Sequence, residues 1–400
     1  MPRKIVLIAK STFVLGLLSS FTLYAEVDAR FSKSNDSKSS VAKSSPVRIA
    51  SAPSANLMAI KSQLTASINQ SVHFLRMAEK EGKWLNHPGV TALCLQGILG
   101  CYRQYNENDG PWIREPMNYL LQSQQKDGAF YDPKARMPVK SYCTALAILA
   151  ISESNNPKYK EQIISAQKFL VEIQCDEGES YVKEKDYSYG GIGYGGDERP
   201  DLSNLQLSLE ALKASGLPID HPAYKKAMVF IQRCQDSEGN DMEWAGSSGG
   251  FAYSPDIPSN ARLAKDVNEK PVSPYGSMTF AGIKSMIFCN IEKTDPRVQD
   301  ALLWIGKNFS VTENPKRGQD SLYYYYLIMA KALEVANVIE IPRNDGIMID
   351  WRYELARELL KRQEDDGHWV NSDKKYMEGS PELCTAYALN TLNIIYKAFQ

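Results

Sequence analysis

One short phrase of sequence recurs along this chain. Gln363 to Trp369 (QEDDGHW) and Gln124 to Phe130 (QQKDGAF) share a Gln, three residues, a Gly, one residue and an aromatic. Gln174 to Gly178 and Gln235 to Gly239 keep the Gln and Gly at that interval without the aromatic. An internal repeat constrains a fold more than any local propensity, because one supersecondary unit is then stacked against copies of itself. A length of 400 residues, enough for two or three average domains, is then used by one body.

Each copy of the phrase lies between an amphipathic helical pattern and an apolar one. Unit one pairs Ile60 to Ala78 with Gly89 to Tyr102 through Glu79 to Trp84 (EKEGKW), where Glu takes the Gln slot. Later units pair Pro116–Gln125 with Ser141–Ser154, Tyr159–Cys175 with Asp201–Ser215, Ala223–Gln235 with Tyr275–Asn290, and Pro296–Phe309 with Asp320–Asn337. The last runs from Arg357 through Ser380 and Pro381 to the chain end. This predicts twelve helices in six pairs and no bundle of strands.

The second helix of each pair, such as LCLQGILG or TALAILAI, is apolar on nearly every face and must be surrounded by protein. Six amphipathic helices around six apolar ones make a closed double ring. The expected fold is therefore all-α, an (α/α)6 toroid. An open superhelix is the alternative, but it needs polar terminal repeats, and the last apolar helix (LCTAYALNTLNIIY) is not polar.

The N-terminus reads differently. Arg3, Lys4 and Lys10 precede the apolar stretch Ser11 to Ala25, with small residues at Ala25 and Ala29, the pattern of a secretory signal cleaved near either one. The competing reading is an uncleaved anchor over Ile5 to Ala25. Residues 30–55 are rich in Ser, Lys and Pro, too poor in apolar groups to repay ordering. The expected organisation is a signal peptide over 1–29, a disordered linker over 30–55 and the toroid over 56–400, in an exported protein with no strong membrane association once the signal is removed. With 46 basic against 47 acidic residues, the chain has no electrostatic footprint for nucleic acid. Seven Cys is an odd number; most lie in apolar helical contexts, while Cys175 and Cys234 sit beside the repeat Gln in successive units and could pair in an oxidising compartment, though sequence does not place their Cα atoms.

The Gln, Gly and aromatic phrase is preceded by Tyr119-Leu120, Phe169-Leu170 and Phe230-Ile231 at fixed distance, and so resembles the QW repeat of squalene and oxidosqualene cyclases. The toroid it implies is similar to that of protein prenyltransferase β subunits, and the likeness covers about Ile60 to Gln400. It implies a central apolar cavity and an isoprenoid or other long apolar ligand. The motifs for the chemistry are missing. No D-x-D-D acid motif and no D-D-x-x-D occurs, and Asp365-Asp366 are turn residues. Where prenyltransferases place Asp-x-Cys for zinc, this chain has Asp201-Leu202-Ser203, and none of its four His heads the next inner helix. The thioester motif G-C-G-E-Q of complement-like toroids is missing too. No metal and no cofactor is expected.

The residues left to form a site lie at the starts of the apolar helices. Asp201 is the candidate catalytic acid or ligand anchor, following the Gly-rich loop Tyr187 to Pro200, and it is also a good helix cap. Tyr142, Thr144, Ser203, Asn204, Phe280, Tyr325, Glu382, Thr385 and Tyr387 are the candidate ligand-binding residues; the tyrosines come from runs such as Tyr323 to Tyr326, which at 100° per residue cannot all face one way. Two functions follow. One is an enzyme or binding protein for an apolar ligand in a central cavity. The other is a non-catalytic scaffold that meets a protein partner through the loops Tyr187 to Pro200 and Ser247 to Pro274.

Overall fold

A computed structural model of the protein describes residues 53–195, 199–255, 272–343 and 345–400, all within one compact unit. The signal segment and nearly all of the linker lie outside the described residues, as does part of each rim loop. A short α1 (Ala55–Ala59) precedes the ring. The outer helices are α2 (Lys61–Ala78), α4 (Pro111–Gln122), α6 (Lys160–Glu172), α8 (Pro222–Arg233), α10 (Pro296–Asn308) and α12 (Trp351–Arg362). The inner helices are α3 (Pro88–Leu99), α5 (Lys140–Glu153), α7 (Leu202–Ala214), α9 (Gly276–Phe288), α11 (Leu322–Val335) and α13 (Pro381–Tyr396).

The inner helices form a closed circle in chain order, each beside the next, with α13 returning to pack on α3. The outer ring closes too, because α12 and α13 both lie against α2. The architecture is the (α/α)6 toroid that the repeat implies. Every residue of α3 from Pro88 to Leu99 is buried, whereas α4 and α10 bury only one face. Burial of a leucine- or phenylalanine-sized side chain stabilises by about 1.5–3 kcal/mol, which is why the all-apolar helices go inside.

The recurring phrase is a two-way clamp. The side-chain amides of Gln124, Gln174, Gln235 and Gln363 each donate to a carbonyl in their own turn (Gly128, Gly190, Gly249, Gly367) at 2.9–3.1 Å. Each also donates to a carbonyl in the following outer helix (Gln162, Ala223, Arg297, Ser67) at 2.8–3.2 Å. The four glycines have φ between +82° and +94°, and a Cβ there would strike the next outer helix. A threonine hydroxyl on the inner helix then accepts the backbone N–H of the aromatic: Thr91 from Trp84, Thr144 from Phe130, Thr279 from Phe251 and Thr385 from Trp369, at 2.9–3.1 Å.

The sequence pairing of Gln174 with Gly178 and of Gln235 with Gly239 is corrected by this geometry. The working partners are Gly190 and Gly249, because insertions in those two turns displace the glycine along the chain. Phe251 is the aromatic of unit four, ten residues later than the fixed interval places it.

Three further differences are local. Helix α4 begins at Pro111 after Gly110, so Pro116 lies inside it. A small hairpin, β1 (Glu340–Pro342) paired antiparallel with β2 (Met348–Asp350), joins α11 to α12. Its strands are too short to carry an alternating pattern. All seven cysteines are free thiols, so Cys175 and Cys234 are not joined.

Candidate functional site

Contacts between inner helices that are not neighbours in the ring must cross its axis, and several do. Ser203 on α7 meets Tyr324 on α11, Oγ to hydroxyl at 2.7 Å, spanning the gap past α9. Tyr142 on α5 meets Tyr387 on α13, hydroxyl to hydroxyl at 3.1 Å, spanning the gap past α3. The Tyr324 and Tyr387 rings meet edge to face with centroids 6.2 Å apart. These residues occupy similar early positions in their helices, so the inner helices run the same way and all begin at one mouth.

Tyr142 and Tyr324 keep part of their surface accessible, yet burial pushes both hydroxyls well above the usual tyrosine range. That combination describes groups that are largely desolvated yet still reached from the mouth of the ring. Gln206 supports the cluster from below, donating to the Tyr324 hydroxyl at 3.3 Å and to the Ser203 carbonyl at 3.0 Å. Its own Oε1 is buried without a partner. Tyr275 adds a fourth aromatic at the mouth, stacked under the Arg317 guanidinium at 4.4 Å.

Asp201 caps α7. Its carboxylate accepts the Asn204 backbone N–H at 2.8 Å and the Asn204 side-chain amide at 2.7 Å, and Tyr253 donates its hydroxyl to it. Burial raises the carboxyl to about 6, with the Asn204 donors pulling the other way. Ser141 extends this network by donating to the Asn204 Oδ1 at 3.0 Å and to the Gly193 carbonyl at 2.6 Å.

The Gly-rich loop is therefore the turn of unit three. Gly190 passes against the Lys226 carbonyl and Gly191 against Phe230 and Pro200.

The other sequence candidates separate into two sets. Tyr142, Ser203 and Tyr387 come together on the axis. Thr144 and Thr385 anchor turns between the rings, and Phe280 packs on Tyr325 at 5.8 Å, with the Tyr325 hydroxyl on the Ser310 carbonyl at 2.7 Å. These four point outward from the axis. Asn204 serves the Asp201 cap, and Glu382 sits half-buried in the first turn of α13.

Tyr324, rather than Tyr325, is the member of the tyrosine run that reaches the axis. The helical period shows the signal: Tyr324 lies seven residues before Lys331, another axial group.

Glu378 is the residue that sequence reasoning missed. Its carboxylate accepts the Tyr323 and Tyr324 backbone N–H groups at 3.2 and 2.8 Å and the Asn371 amide at 2.6 Å, capping α11 from a distant loop. Burial lifts it to about 7, against the opposing pull of those donors. No local cap signal marks it, because it is 54 residues from the helix it caps. Tyr376 and Met377 beside it hold positive φ of 50° and 66° and are exposed.

Among the described residues no group of three or more His, Cys, Asp or Glu is placed to hold a metal ion, and no helix is long and apolar enough to cross a membrane.

No protein-family model and no curated protein matches the sequence. Solved structures match its fold. The type II terpene cyclase MstE from Scytonema, as a variant in complex with merosterolic acid A (product), is 14% identical with a TM-score of 0.49, over 86% of this chain and 99% of that one. A protein from Actinoplanes is 13% identical with a TM-score of 0.45, over 84% of this chain and 100% of that one. Another MstE variant, in complex with geranylgeranyl dihydroxybenzoate (substrate), is 13% identical with a TM-score of 0.50, over 85% of this chain and 99% of that one, so the fold is similar to that of a type II terpene cyclase.

Proposed function

We propose that this protein is a terpenoid-cyclase-like toroid that binds an isoprenoid or other long apolar molecule at the mouth of the ring, against Tyr142, Tyr324 and Tyr387. The observation that carries the reading is the cross-axis tyrosine cluster, desolvated yet partly accessible. Aromatic faces in an apolar recess suit a chain of alkene units, and the hydroxyls offer hydrogen bonds to a polar end. The QW-type turns and the substrate in the MstE complex, geranylgeranyl dihydroxybenzoate, support the same ligand class.

The chemistry of this site is binding rather than protonation of an alkene. A class II cyclisation needs an unusually strong acid, and Asp201 is held at about 6 with its oxygens taken by Asn204 and Tyr253. Asp201 is then a cap that fixes Ser203 on the axis. The N-terminal segment is read as an export signal, tested by N-terminal sequencing of the protein from its native source.

Native mass spectrometry with organic extraction tests the ligand reading. A bound polyprenyl or triterpenoid species is expected. Protein that is repeatedly empty and takes up no geranylgeraniol sinks it, and leaves the scaffold function, with its partner at the rim loops, as the reading to pursue.

A further inference from the structure

The turn threonines set a register for the inner helices. Five residues after Thr91, Thr144, Thr279 and Thr385 come Gln96, Leu149, Lys284 and Asn390. Glu210 on α7 and Lys331 on α11 join the same level: Glu210 Oε1 accepts from Lys331 Nζ at 2.6 Å and its Oε2 from Lys284 Nζ. The Glu210 to Lys331 bond again spans two non-adjacent helices, so this layer also lies on the axis. Seven residues of helix separate it from Ser203 and Tyr324, about 10 Å at 1.5 Å per residue.

The layer is out of balance in charge and in hydrogen bonds. Two ammonium groups face one carboxylate. Among the described residues each lysine donates to Glu210, with further N–H donors to spare, and the Lys284 ammonium also lies 5.7 Å over the Phe288 ring. Nearby Glu334 is engaged by Lys397 at 2.7 Å, and Glu153, which acts on Lys331, is exposed.

Lys284 is fully buried, while Lys331 and Glu210 keep 9% and 14% of their side-chain surface, so the layer has contact with solvent. A buried excess of positive charge and of N–H donors is costly unless an acceptor of opposite charge completes it.

We infer that Lys284 and Lys331 frame an anion subsite on the toroid axis, taking an oxyanion: a carboxylate or phosphate, either free or as the acidic end of a longer ligand. Burial pulls the Lys284 ammonium down to about 8, with Glu210 opposing, so it is charged at pH 6.5 and an anion beside it would hold the proton more firmly. Glu210, which burial alone raises, is held at about 2 by the two lysines and so stays ionised when the anion arrives.

The test is titration calorimetry on the full chain near pH 6.5, with inorganic phosphate, palmitate and methyl palmitate as probes. Binding of phosphate is expected if the anion is free, and binding of palmitate but not its methyl ester if it is the end of an apolar ligand. Lys331→Met balances the layer and is expected to weaken the bound anion by about tenfold or more, whereas Glu210→Gln leaves both lysines uncompensated and is expected to tighten it. An ion cluster with only a structural role would not move anion affinity in opposite directions in these two variants. No binding of phosphate or palmitate, or equal affinity in both variants, overturns the inference. Phosphate carries no apolar chain, so its binding is read independently of the ligand at the mouth.

Discussion

The hydroxyls of Ser203 and Tyr324 meet at 2.7 Å across the centre of the ring, between helices that do not touch as neighbours. Tyr324→Phe removes that bond and one of the two made by the Gln206 amide, so a loss of about 1–2 kcal/mol in urea unfolding is expected. Tyr324→Ala goes further and removes one aromatic face of the proposed site. It is expected to reduce uptake of a fluorescent polyprenyl probe; unchanged uptake would place the ligand elsewhere.

The seam of the ring rests on Gln363, whose amide holds the Ser67 carbonyl of the first outer helix and the Gly367 carbonyl of its own turn. Gln363→Ala leaves two carbonyls short of a donor and should lower unfolding free energy by about 1–3 kcal/mol. Gln299→Ala, at an exposed position, should change it little. Equal effects of the two substitutions would mean that the clamp is decorative.

Gly190 and Gly216 separate contact from strain. Both have φ near +80°, but a Cβ at Gly190 would lie 1.9 Å from the Lys226 carbonyl oxygen, and at Gly216 nothing lies within 4 Å. Gly216→Ala should cost about 1 kcal/mol for the left-handed backbone alone. Gly190→Ala must also push α8 away from its turn, and a melting temperature well below that of Gly216→Ala is the expected outcome.

Glu378 gives the fold a pH dependence of defined sign. Its folded value of about 7 stands above the ordinary 4.5, so the native state holds the proton more tightly than the unfolded chain. The stabilisation is full below about pH 4.5 and is lost as pH rises towards 7, by up to about 3 kcal/mol. Asp201, raised to about 6, acts in the same direction. Melting temperatures from pH 5 to 8 should fall in the wild type and fall less in Glu378→Gln; identical slopes would remove Glu378 from the account.

Titration with a thiol reagent in guanidinium should find seven thiols, whether or not the protein was prepared in air, because no pair of cysteines is joined. Five thiols would mean that a bridge such as Cys175 to Cys234 forms in solution.

Most of the ring was legible because it is repetitive. Gln124, Gly128 and Phe130 announce their turn locally, and the apolar run in α5 has only one place to go. In units three and four the same turn was misaligned, since Gly190 and Gly249 lie 16 and 14 residues from their Gln and only contact with Lys226 and Asp300 identifies them. The axis was harder to read. Periodicity shows that one of four consecutive tyrosines faces inward but not which one, and the choice between Tyr324 and Tyr325 depends on how α11 is rotated against α7 and α13. Glu378 and the Glu210 to lysine contacts pair residues far apart in sequence, and such pairs leave no local trace.

The chain's last helical turn lies against its first long helix: Tyr396 and Thr65 share a hydrogen bond at 3.2 Å, and the Lys61 ammonium sits 5.2 Å over the Phe399 ring. The join between unit six and unit one is thus held by side-chain contacts as well as by the Gln363 clamp. A circular permutant that links Gln400 to the region before α1 by a short bridge, and opens the chain in the exposed Asp132 to Met137 loop, would keep every clamp and every axial contact. The described ring is closed by packing rather than by the course of the chain, so its stability should depend little on which loop is opened.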